Sequence, residues 1–99
     1  MKSGYKILWT EHALNELSHT YEYLELHFTD RELKKLSSEL DRTLHLISQN
    51  PYLFPVSELK GVRRIVIKKH NTIYFREKEN CIEILSFFSN RQNPNKRKT

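Results

Sequence analysis

Eight polar side chains in the second half of the chain have the chemistry to hold an anion. Arg63 and Arg64 are adjacent, Lys68 and Lys69 follow shortly after, Tyr74 precedes Arg76, and Arg91 is followed by Gln92. A guanidinium offers a planar fork of donors to phosphate or carboxylate oxygens, and lysine offers a compact point charge. Tyr74 adds an aromatic face and a hydroxyl donor. A solvated sheet face with ordinary cross-strand pairs is the competing reading of the same residues.

Other site chemistries have no support. His12, His19, His27, His45 and His70 show neither HExxH nor metal-ligand spacing, and Cys81 is the only cysteine, so no zinc site and no intrachain disulfide is expected. Gly4 and Gly61 are the only glycines, which excludes a phosphate-cradling glycine loop. His12 and Glu16 share a helix face as a surface pair. His70 reads as a turn residue. No Ser-His-Asp arrangement is present, no catalytic residue is assigned, and no cofactor or metal is expected.

The totals describe one small domain of 99 residues, predicted over 1–95, with a basic tail at 96–99. Residues 1–50 hold six Lys/Arg and eight Asp/Glu, and residues 51–99 hold eleven and four. The halves thus carry −2 and +7, which make up the formal net charge of +5. This asymmetry favours a polyanion or an acidic protein as partner. There is no N-terminal apolar run of signal length and no stretch near the ~18 apolar residues of a membrane span. A cytoplasmic location without membrane association is the expectation.

The elements that must position the basic residues follow from periodicity. Tyr5, Ile7 and Trp9 alternate over residues 5–9, predicting a strand. Thr10 suits a helix N-cap, and Leu14, Leu17, Tyr21, Leu24 and Phe28 make one stripe over about 11–27. Thr29 or Asp30 caps a second helix. Its stripe of Leu33, Leu36, Leu40, Leu44 and Ile47 runs to about residue 49, where Asn50-Pro51 stops it. The short connection makes the helices an antiparallel hairpin. After a loop at 50–61, three β-prone runs (62–69, 71–78 and 81–88) are too closely spaced for crossovers and predict an antiparallel meander, with Glu79-Asn80 as a tight turn.

The result is an α+β fold of order β-α-α-β-β-β, with the hairpin on one sheet face and the other face open. Alternation predicts Ile65, Ile67, Ile73, Phe75, Ile82 and Ile84 toward the helices. It predicts Arg64, Val66, Lys68, Thr72, Tyr74, Arg76, Leu85 and Phe87 on the open face, and a one-residue slip would exchange the two sets.

This order, with three stretches in particular, resembles the RelE/ParE superfamily of toxins from type II toxin–antitoxin systems. "YKILWTEHALNELSHTYEYL" looks like the superfamily's first strand and helix, "VRRIVIKKHNTIYFR" like its paired strands, and "IEILSFFSNRQNP" like its last strand with the Arg-Gln that often follows. The resemblance covers nearly the whole chain. It implies that the last strand is central to the sheet, that Arg91 and Gln92 are displayed beside the open face, and that an acidic antitoxin is the partner.

The superfamily has two functional branches. RelE-like members cleave messenger RNA in the ribosome, using clustered Lys/Arg and often a C-terminal Tyr or His. ParE-like members are associated with DNA gyrase. Thr72 stands roughly where cleaving members carry an arginine, and no Tyr or His follows Ser89. The resemblance is therefore closer to the ParE branch and implies a toxin that binds gyrase and is not an enzyme. A metal-independent, ribosome-dependent mRNA endonuclease is the first alternative, and a non-toxic binding module derived from such a toxin is the second. The candidate residues for target or antitoxin are Arg63, Arg64, Lys68, Tyr74, Arg76, Arg91 and Gln92.

Overall fold

The structure, a computed structural model, describes residues 4–58 and 61–89. In chain order the elements are β1 (Lys6–Trp9), α1 (Glu11–His27), α2 (Asp30–Gln49), a 3-10 turn (Pro51–Leu53), β2 (Arg63–Ile67), β3 (Asn71–Lys78) and β4 (Cys81–Ser89). This is the predicted α+β order. Among the described residues, no helix is long and apolar enough to cross a membrane.

Local chemistry sets the helix ends. The Thr10 hydroxyl accepts from the Ala13 N–H at 3.2 Å and donates to the Ile84 carbonyl at 2.8 Å. It therefore caps α1 and ties the helix start to β4. Thr29 is the N-cap residue of α2 without a side-chain bond, and Asp30 and Glu32 complement the helix dipole in the first turn. Asn50 closes α2, and Pro51 opens the 3-10 turn. Gly4 lies so close to α2 that an added Cβ would stand 2.6 Å from the Ser48 carbonyl oxygen, so only glycine leads into β1 there.

The two helices differ in how well periodicity describes them. On α2, Leu36, Leu40 and Ile47 are buried, with Leu33 and Leu44 packed beside them. On α1 the buried residues are Ala13, Thr20 and Leu24, while Leu14 is 48% and Phe28 41% exposed. Leu14 and Phe28 thus leave the predicted stripe. The Thr10–Ile84 tie holds the helix start close to β4, where the small Ala13 fits the contact and the bulky Leu14 turns to solvent.

The sheet order is β1-β4-β3-β2, with β1 parallel to β4 and the other pairs antiparallel. The last strand is therefore central. Its core face includes Ile82, Ile84 and Phe87, which pack with Ile67, Ile73 and Phe75 against the hairpin.

The predicted position of Phe87 on the open face is corrected by a β-bulge. Tyr74 pairs with Ser86 but Phe75 pairs with Ile84, which leaves Leu85 as an extra residue. Beyond it the alternation inverts, and Phe87 is only 1% exposed whereas Phe88 is 44% exposed.

Beyond Ile84, β4 has no strand partner on its β1 side among the described residues, since the pairing covers only Lys6–Trp9. Glu16 of α1 supplies the missing acceptor. Its Oε1 accepts from the Phe87 N–H and the Ser86 hydroxyl, each at 2.8 Å, and lies 3.3 Å from His12 Nε2. Glu16→Ala leaves the Phe87 N–H without this acceptor and is expected to cost ~1–3 kcal/mol. His12→Ala should cost about 1 kcal/mol or less, because His12 is exposed. Urea unfolding of both variants checks this, and equal midpoints would refute the edge role of Glu16.

Candidate functional site

Arg64 and Val66 of β2, Thr72, Tyr74 and Arg76 of β3, and Glu83, Ser86 and Phe88 of β4 share the open face through their cross-strand pairing. Leu8 of β1 joins them opposite Glu83. The segment after the 3-10 turn frames one side. Val56 bridges to Arg63, the Ser57 N–H donates to the Val62 carbonyl at 2.7 Å, and the Arg64 N–H donates to the Pro55 carbonyl at 3.1 Å. Part of the predicted loop thus runs along the outer edge of β2.

Between this segment and the sheet lies a groove lined by Val56, Ser57, Glu58, Val62, Arg64, Tyr74, Leu85 and Ser86. The bulge sets Leu85 beside Tyr74 in the groove. Val66 at 55% and Phe88 at 44% exposure flank Thr72 at one end of this face, and Leu8 at 46% lies opposite Glu83 at the other. Arg64 has no ion-pair partner among the described residues. The groove therefore combines apolar walls with one available guanidinium, a composition suited to a protein segment carrying both apolar and acidic side chains.

The sequence-predicted residues do not form one cluster. Arg64 and Tyr74 meet in the groove. Arg76 lies further along the open face, where its Nε donates to Glu83 Oε1 at 2.7 Å. Arg63 belongs to the helix side, donating to the Phe54 carbonyl at 2.7 Å with its guanidinium 5.2 Å from the Tyr52 ring centre. Lys68 is not on the open face as alternation predicts. β2 ends at Ile67, so Lys68 sits in the turn and lines a different, helix-side cavity. Arg91 and Gln92 lie outside the described residues, as does the tail at 96–99.

Among the described residues no group of three or more His, Cys, Asp or Glu is arranged for a metal. His70 stands in the β2–β3 turn, where its N–H donates to the Lys68 carbonyl at 2.7 Å. Tyr52 lies toward the helix side, beside Glu77. Its hydroxyl donates to Glu77 Oε1 at 3.1 Å, and this bond is the main cause that pushes its pKa up to about 12. Tyr52 therefore stays neutral and keeps donating through the neutral range.

The bulge was the feature missed by alternation, and it had a signal. Ile82, Ile84 and Phe87 are spaced by two and then three, so no uniform period of two carries all of them to one face. The groove wall from Val56 to Glu58 had no comparable sequence signal.

The family model for the ParE toxin of the type II toxin–antitoxin system parDE matches residues 7–94. The chain belongs to the ParE toxin family. A solved chain of the chromosomal ParDE TA system from P. aeruginosa superposes with a TM-score of 0.72 at 20% identity, covering 86% of this chain and 95% of that one. A chain of the YoeB-YefM complex from Staphylococcus aureus superposes with a TM-score of 0.57 at 18% identity, covering 87% and 97%. At these identities the two structures speak to the shared fold. No curated protein matches. The ParE family membership rests on the sequence match, which spans β1 to β4 and the residues beyond.

Proposed function

We propose that this ParE-family toxin inhibits growth by binding DNA gyrase, and that an acidic antitoxin neutralises it by occupying the open sheet face. The observation that carries the antitoxin reading is the groove where Arg64, Tyr74 and Leu85 converge. Its apolar walls suit alternate apolar side chains of a bound segment, and Arg64 suits a carboxylate. The positive balance of residues 51–99 favours fast, salt-sensitive association with an acidic chain. The gyrase reading is supported by membership of the ParE family and by Thr72 standing on the open face beside Phe88. Arg91 remains the proposed target contact, a charge-assisted and bidentate one.

The test couples binding with two cellular readouts. Arg64→Ala and Tyr74→Ala should each weaken binding of the co-expressed acidic neighbour by about tenfold or more, the scale of ~1.4 kcal/mol, with circular dichroism unchanged. Arg91→Ala should strongly reduce growth inhibition without antitoxin, and deletion of residues 96–99 should reduce it much less. Induction of the parent toxin should alter DNA supercoiling and leave mRNA intact. Ribosome-dependent mRNA cleavage with normal supercoiling would replace gyrase by the ribosome as target.

A further inference from the structure

The sheet groove is amphipathic, but the end of the molecule beyond β2 has a different character. Lys35 of α2 and Lys68 of the β2–β3 turn line one small cavity with Glu32, Asn71 and Ser89. Lys35 also lines an adjoining depression with Asp30, Arg31, Lys34 and Ser38. Lys69 follows Lys68 in the turn. Among the described residues, five cations thus stand against the carboxylates of Asp30 and Glu32 at this end. None of the five cations has an ion-pair partner among the described residues.

Two further observations point to a ligand. The first is the backbone of the turn. Lys68 and Lys69 have φ of 52° and 67°, the left-handed region that Asn and Gly adopt most readily in tight hairpins. The other hairpin turn, at Glu79 and Asn80, has similar angles and does carry asparagine at its second position. The β2–β3 turn instead holds two lysines in a conformation that costs local stability. The second is Ser89. It is 5% exposed, its hydroxyl has no hydrogen-bond partner among the described residues, and it lines the cavity beside Lys35 and Lys68. The cavity volume is about 20 Å³, room for one oxygen-sized group.

We propose that this lysine-rich end binds the phosphate backbone of a nucleic acid, with one phosphate oxygen received in the cavity by Lys35, Lys68 and the Ser89 hydroxyl. Lysine serves phosphate as a point charge, and nucleic-acid interfaces are polar and strongly positive. A protein partner would call for an exposed apolar centre, as in the sheet groove, whereas here Leu24 and Leu36 of the cavity lining are buried, Tyr23 is partly so, and the adjoining depression is lined by charged and polar residues. The proposal goes beyond the toxin reading and uses none of the groove residues.

The experiment uses the full chain and a fluorescein-labelled DNA duplex of about 20 base pairs, with anisotropy read between about 50 and 200 mM salt. The variants are Lys68→Asn/Lys69→Gly and Lys34→Ala/Lys35→Ala, with Lys78→Ala as the control. Each double variant should bind about tenfold more weakly at the higher salt, and its slope of log K against log salt should be shallower by about 2. Lys78→Ala should leave the slope nearly unchanged. The turn variant should also melt at a higher temperature than the parent, because Asn and Gly relieve the left-handed strain. Weaker binding by a more stable protein separates a binding role from a fold lesion. Unchanged slopes in both double variants would overturn the proposal. So would stronger displacement of the duplex by polyglutamate than by unlabelled DNA of equal charge, which would make this an acidic-protein surface.

Discussion

Phe87→Ala is expected to cost ~3–5 kcal/mol, whereas Phe88→Ala should cost about 1 kcal/mol. The neighbours are chemically identical and lie on opposite faces of the strand, and the bulge at Leu85 decides which of them faces the core. Phe87 is 1% exposed and belongs to the core with Ile73, Phe75, Ile82 and Ile84. Its removal leaves a ring-sized cavity at the centre of the sheet's covered face. Phe88 lies opposite Thr72 on the open face, 44% exposed, and loses little burial on truncation. A domain of this size has roughly 5–15 kcal/mol in hand, so the first variant spends a large share of it. Urea midpoints for both variants decide the matter. The reverse order of the two costs would mean that β3 and β4 pair without the bulge.

Leu40→Ala is expected to cost ~2–5 kcal/mol, and Leu17→Ala only about 1–2 kcal/mol. By sequence both leucines belong to the seam between hairpin and sheet, which would make the two losses similar. The structure separates them. Leu40 is 6% exposed within the core, while Leu17 is a partly buried residue packed against it. The difference follows from the rotation of α1, which turns Ala13 inward and leaves Leu17 at the margin. Thermal or urea unfolding of the pair checks it. Equal losses would put Leu17 as deep as Leu40.

The order of elements was legible because each signal was local. The α2 stripe has regular three- and four-residue steps with caps at both ends, and its buried set matches that spacing. The α1 stripe was less legible because its inward residues include the small Ala13 and the polar Thr20. Apolar periodicity gives neither much weight, yet the tie between Thr10 and Ile84 selects that face. On the site, period-two alternation placed Arg64 and Tyr74 on one face, as their pairing has them. It failed for Lys68 because the strand stops one residue earlier, and for Phe87 because a bulge changes the phase. The capping of β4 by Glu16 joins residues 71 apart in sequence, a separation that no local pattern reports.

The parallel pairing of β1 with β4 also constrains when the protein can exist as a folded object. Lys6 meets Cys81, and the Thr10 hydroxyl meets the Ile84 carbonyl across 74 residues. During synthesis the first strand and the first helix must therefore wait for the last strand to leave the ribosome. Until then the hairpin has no central strand to cover, and β3 lacks one of its two neighbours. Contacts of this span make folding late and slow compared with a fold built from neighbours. A chain that stops short of Cys81 has neither the pairing partner of β1 nor the bulged wall of the groove, so the sheet cannot close until β4 has been made.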